Sequence, residues 1–122
     1  EEGKARVFPL VCATTSLAIE SPREVDFSDL FFDGENLYAL TRNGDAVVRI
    51  TFDETDFEEH EIWSFGHVTN APEYRYEDMT FGKAEGLTMD DEHVYVILDN
   101  NGMARASDPT DTRPLLFVFA RP

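Results

Sequence analysis

Carboxylate and amide oxygens gather at Glu85 and at the run Asp99-Asn100-Asn101, and Asp29 supplies a further carboxylate upstream. A hard cation such as Ca²⁺ takes about six to eight oxygens of these kinds, so Glu85, Asp99, Asn101 and Asp29 are candidate calcium ligands. The same run continues into the step Asn101-Gly102, and polar turns favour such residues for backbone reasons alone. A cation site and a plain turn both fit. An EF-hand does not, because Met103 stands at the fifth position from Asp99 and the closing Glu is missing.

Enzyme signatures fail on inspection. The chain has no Gly-x-Ser-x-Gly elbow, no His-Glu-x-x-His, no Gly-rich phosphate loop ending in Lys-Ser/Thr and no Cys-His spacing for zinc. His60, His67 and His93 have no companion at metal or triad spacing and read as surface residues. Arg75, Lys83 and Arg105 flank the segment carrying Glu85 and can meet a small anionic ligand or balance nearby carboxylates. Trp63, Phe65, Tyr74 and Tyr76 bracket a long loop, 66–82. Arg75, Tyr74 and Tyr76 are therefore candidate ligand or interface residues, against the alternative of a loop packed down by its own aromatics.

The elements that position these residues read as strands. Apolar residues alternate with period two in short runs, and Gly, Asn, Asp and Pro fall between the runs. Strands over 37–42 and 46–52 flank Asn43-Gly44-Asp45, where Asn-Gly supplies the positive-φ positions of a tight hairpin. A strand over 27–32 precedes them and an outer strand over 59–65 follows, the latter inside an acidic stretch, 53–61, that faces water. The pattern then returns. Leu30-Phe31-Phe32-Asp33-Gly34-Glu35-Asn36-Leu37-Tyr38 aligns without a gap on Leu87-Thr88-Met89-Asp90-Asp91-Glu92-His93-Val94-Tyr95, an offset of 57 positions, with the Asp, Glu and Tyr of each copy identical. The second copy supplies strands over 84–89, 94–99 and 115–120. Two leading strands fall within 5–19.

The fold class expected is all-β: antiparallel four-stranded meanders forming a partial β-propeller of about two blades, blade one about 27–65 and blade two about 84–120. Residues 1–122 then form a single module. Closed propellers typically need about four to eight blades, so the expectation is either missing N-terminal blades or a homo-oligomer that closes the ring.

At Glu85-Gly86-Leu87-Thr88, the acidic turn Asp90-Asp91-Glu92, the aliphatic strand Val94-Tyr95-Val96-Ile97 and the closing Asp99-Asn100, the chain resembles the β-propeller family labelled "esterase-like activity of phytase". It is also similar to calcium-binding propellers of the SdiA-regulated type. The resemblance covers about the last 95 residues. It implies a propeller with acidic groups around a central channel, a bound divalent cation and, in some members, hydrolysis of phosphate or carboxylic esters. Carried over by position, Glu85 points to the channel, with Asp99 and Asn101 near the end of the neighbouring strand. An extracytoplasmic location also follows from the resemblance alone.

Charge narrows the partners. Ten basic against 25 acidic residues give −15, with Lys4 and Lys83 the only lysines, which argues against nucleic acid and anionic membranes. No apolar run approaches the roughly 20 residues of a membrane span, Glu1-Glu2-Gly3-Lys4 lacks the order of a signal peptide, and the single Cys12 excludes an internal disulfide. The function expected is a binding or scaffold module holding calcium. The alternatives are a metal-assisted phosphoester or carboxylester hydrolase, or a structural fragment without activity.

Overall fold

A computed structural model of the chain describes residues 19, 21, 23–52 and 57–122. The leading strands expected within 5–19 lie outside the described residues, apart from Ile19, which is not in a strand. Seven strands are described: β1 (Phe27–Phe32), β2 (Leu37–Thr41), β3 (Ala46–Phe52), β4 (Phe57–Ser64), β5 (Ala84–Met89), β6 (His93–Leu98) and β7 (Leu115–Ala120). They form two antiparallel sheets, ordered β1-β2-β3-β4 and β5-β6-β7. The long loop after β4 contains one helical turn, α1 (Gly66–Thr69). No described helix is long and apolar enough to cross a membrane.

The internal repeat has a structural cause in each copy. Asp33 Oδ1 accepts the amides of Glu35 (2.9 Å) and Asn36 (2.8 Å), while Tyr38 Oη donates to Asp33 Oδ2 (3.1 Å). Asp90 does the same 57 residues later, with Glu92 (2.8 Å), His93 (2.7 Å) and Tyr95 (2.6 Å). A carboxylate that caps a tight turn and anchors the next strand's tyrosine is hard to replace, which accounts for identity at both positions. Both first strands also carry a bulge. It lies between Phe27 and Asp29 in β1 and between Ala84 and Gly86 in β5, so the extra residues are Ser28 and Glu85, again 57 apart.

The β2–β3 hairpin differs from the Asn-Gly expectation. Positive φ falls on Asp45 (45°), not on Asn43 or Gly44, in a four-residue turn whose ends are pinned by Thr41 Oγ1. That hydroxyl donates to Ala46 O (3.0 Å) and accepts from Ala46 N (3.1 Å). Gly44 serves close packing instead: a Cβ there would lie 2.8 Å from Ile19 Cγ2 and from Thr41 Oγ1.

The sheets pack face to face, with β1 against β5. Tyr38, Leu40 and Val47 from the first sheet share one core with Val96, Leu98 and Phe117 from the second. Two polar ties lock the join. Leu87 N donates to Asp29 Oδ2 (2.7 Å), and Ser28 Oγ donates to Ala84 O (2.9 Å). Ala39, Val48 and Ile50 are buried on the opposite face of the first sheet.

Candidate functional site

A cleft of about 620 Å³ opens where the β2–β3 turn, α1 and the segment entering β5 converge. A smaller recess of about 270 Å³ shares Arg23, Arg42, Asn43, Phe81 and Gly82 with it and extends to Glu85 and Asn101. Asn43 ties the β2–β3 turn to the segment before β1 and to the segment entering β5. Its Nδ2 donates to Glu24 O (2.8 Å), and its Oδ1 accepts Gly82 N (3.0 Å). Gly82 is required by the approach itself, since a Cβ would stand 2.2 Å from the carbonyl oxygen of Arg42.

Three cations line the cleft. The Arg23 guanidinium lies over the Phe81 ring, 4.3 Å from its centroid, a favourable cation–π placement. Lys83 is buried. Arg42 Nε is 3.5 Å from Glu85 Oε1 and 3.9 Å from Asp26 Oδ2, and it is buried with no hydrogen-bond partner. Four other arginines are committed elsewhere. Arg49 reaches Glu61 at 2.6 Å, Arg113 reaches Asp111 at 2.8 Å, Arg121 reaches Asp33 at 2.6 Å, and Arg105 donates to Tyr74 O at 2.7 Å while stacking over Tyr76. Opposite the cations, Asp45 accepts Asn70 Nδ2 at 2.9 Å. Burial pushes the Asp45 carboxyl up, against the pull of that hydrogen bond.

The residues singled out from sequence divide. Glu85 and Asn101 (φ 49°) meet at the recess beside Arg42. Asp99 caps its own turn, its Oδ1 accepting Asn101 N at 2.9 Å. Asp29 spends one oxygen on Leu87 N and the other on Leu30 N (2.8 Å), which makes it a tie between sheets. Asn100 is buried and its amide donates to Met103 O and Thr112 O.

Tyr76 offers no surface. It is 0% exposed, and its hydroxyl donates to Arg113 O at 3.2 Å. Tyr74 is partly exposed and meets Phe117 edge-on, and exposed Arg75 contributes backbone bonds to Ala71 and Ala106. The loop 66–82 is thus held down largely by its own aromatics, with His67 on α1 lining the cleft.

Arg23, Arg42, Asn43, Asp45 and Gly82 were not singled out as site residues. The available signal was local: Arg42-Asn43-Gly44-Asp45 sits in a hairpin turn, and Gly82-Lys83 stands directly before the strand carrying Glu85.

Among the described residues no group of three or more His, Cys, Asp or Glu side chains is arranged to hold a metal ion, and Arg42 Nε stands 3.5 Å from Glu85 Oε1. Comparison of the chain with protein-family models, curated proteins and solved structures finds no match.

Proposed function

We propose that this chain is a propeller-like binding module of two successive blades that holds a small anionic ligand, a carboxylate or phosphate, in the cleft of Arg23, Arg42 and Lys83. The observation that carries this reading is the convergence of Arg23, Arg42 and Lys83 on one cleft, where the half-exposed Arg42 side chain stands 3.5 Å from Glu85 and 3.9 Å from Asp26, too far for a close hydrogen bond to either. Clustering cations in a chain of net charge −15 opposes the long-range field, so their attraction acts at short range, where guanidinium groups recognise planar anions by paired hydrogen bonds. Met79, Phe81 and Ile19 add an apolar wall for the body of such a ligand. The blade reading draws on the 57-residue repeat, the paired bulges at Ser28 and Glu85 and the packing of β1 on β5.

Titration calorimetry with citrate, inorganic phosphate and sulfate at low salt tests the proposal. One of these binds at a single site, and Arg42→Gln weakens it by about 10- to 100-fold, the equivalent of one charge-assisted hydrogen bond. Arg113→Gln, on an exposed turn, leaves affinity unchanged. Absence of heat with all three anions, or equal affinity in Arg42→Gln, refutes the assignment.

A further inference from the structure

By strand order β1, β2 and β3 of the first sheet correspond to β5, β6 and β7 of the second, with the 57-residue repeat fixing the match of β2 to β6, and the two copies differ in what covers them. Leu40 and Val47 pair across β2 and β3 on the face that receives the second sheet, and they are 0% and 1% exposed. The corresponding pair across β6 and β7 is Ile97 and Leu116, 46% and 60% exposed, with Val118 exposed beside them. The chemistry is conserved between copies while the burial is reversed.

The polar border of the covered face repeats as well. Arg121, arriving from the end of β7, donates through Nη2 to Asp33 Oδ2 (2.6 Å) and to Tyr38 Oη (2.9 Å). It thereby closes the Asp33–Tyr38 pair of the preceding sheet. The counterpart pair is Asp90–Tyr95, where His93 Nδ1 stands 3.4 Å from the carboxylate and Arg121 Nη1 donates to the Asp90 backbone oxygen (3.0 Å), while among the described residues no Arg or Lys side chain bonds the carboxylate itself. Tyr95 and the turn amides hold that carboxyl at about 2, so it carries a full charge at neutral pH.

We infer that the exposed face of the second sheet, bearing Ile97, Leu116 and Val118, is a docking surface for a further antiparallel β-sheet whose border arginine closes on Asp90 and Tyr95. The occupant is of the kind that already covers the first sheet: an apolar strand face with one arginine after its third strand. Charge complementarity selects such a sheet, because the Asp90 carboxylate and Tyr95 hydroxyl at the border match an incoming arginine as Asp33 and Tyr38 match Arg121. The inference extends the two-blade reading and is independent of the cleft's ligand.

The test uses the full chain with a second copy of residues 66–122 joined behind Pro122. A flexible linker of about 12 residues has a mean span of roughly 20 Å, which matches the height of a strand the length of β7. Val118→Cys in a Cys12→Ser background reports the face through its rate of thiol labelling. Docking slows labelling about tenfold or more relative to the unextended chain. Tyr95→Phe in the first copy, or Arg121→Gln in the appended copy, restores a substantial part of the rate.

Unchanged labelling with the appended copy folded, as judged by a rise in β-sheet circular dichroism, overturns the inference. So does self-association of the unextended chain that Leu116→Glu abolishes, because the face then belongs to a second copy. Citrate binding on the same protein reports on the cleft separately.

Discussion

Replacing Asp29 by Ala removes a charge-assisted tie between the sheets at the β1–β5 join. Asp29 Oδ2 accepts Leu87 N at 2.7 Å, and Leu87 is buried against the shared core. A hydrogen bond to a charged acceptor contributes about 1.5–3 kcal/mol, and deleting the acceptor leaves a buried amide unpaired. The second oxygen also caps Leu30 N, but that contact is exposed and contributes little. The net expectation is a loss of about 2–3 kcal/mol, a fall in Tm of roughly 10 °C for a domain of this size. Urea unfolding followed by Trp63 on β4, the only tryptophan, reports the first sheet, and hydrogen exchange of β6 amides reports the second. The m-value should be unchanged while the midpoint drops. Asp29→Asn, which keeps a neutral acceptor, should lose about half as much. A loss under about 0.5 kcal/mol for Asp29→Ala would mean that water replaces the carboxylate freely and that this bond does not join the sheets.

Two glycines should respond differently although both lack room for a Cβ. Gly82→Ala meets the backbone carbonyl of Arg42 at 2.2 Å and should cost about 3 kcal/mol in urea melts while weakening anion binding; Gly86→Ala meets Ile97 Cγ2 at 2.5 Å, on a half-exposed side chain that can rotate, and should cost under about 1 kcal/mol. Asp33 gives a pH dependence. Its carboxyl is lowered from 3.8 to about 2, chiefly by the amide of Asn36, with the amide of Glu35, Arg121 and Tyr38 adding to it. Because the folded value lies below the unfolded one, its stabilisation is complete above about pH 4 and is lost as pH falls toward 2. Arg121→Met should raise the Asp33 value measured by NMR only part of the way to 3.8, since the turn amides remain; full recovery would assign the whole shift to Arg121.

The sheet architecture was legible because its causes are local. Period-two alternation placed the strands, and the identical Asp33/Asp90 and Tyr38/Tyr95 pairs marked a turn whose carboxylate does the same work twice. The cleft was less legible because it is built from segments distant in sequence. Arg42 and Asn43 belong to one hairpin, Gly82 and Lys83 to the segment entering another sheet, and the Asn43–Gly82 bond and the Arg42–Glu85 ion pair bring them together. The inter-sheet bond of Asp29 was hidden for a related reason: a carboxylate that accepts a backbone amide 58 residues away looks, in sequence, like any other carboxylate. Tyr76 likewise read as a loop aromatic with equal claims to surface and core, and its bridge to Arg105 decides for the core.

Chemical-shift mapping of backbone amides during a citrate titration, repeated with phosphate, tests the anion cleft most directly. Saturable shifts confined to Arg42, Asn43, Gly44, Gly82 and Lys83, and lost in Arg42→Gln, are the predicted result. Shifts that never saturate, or that centre on the Arg113 turn and survive Arg42→Gln, would contradict it.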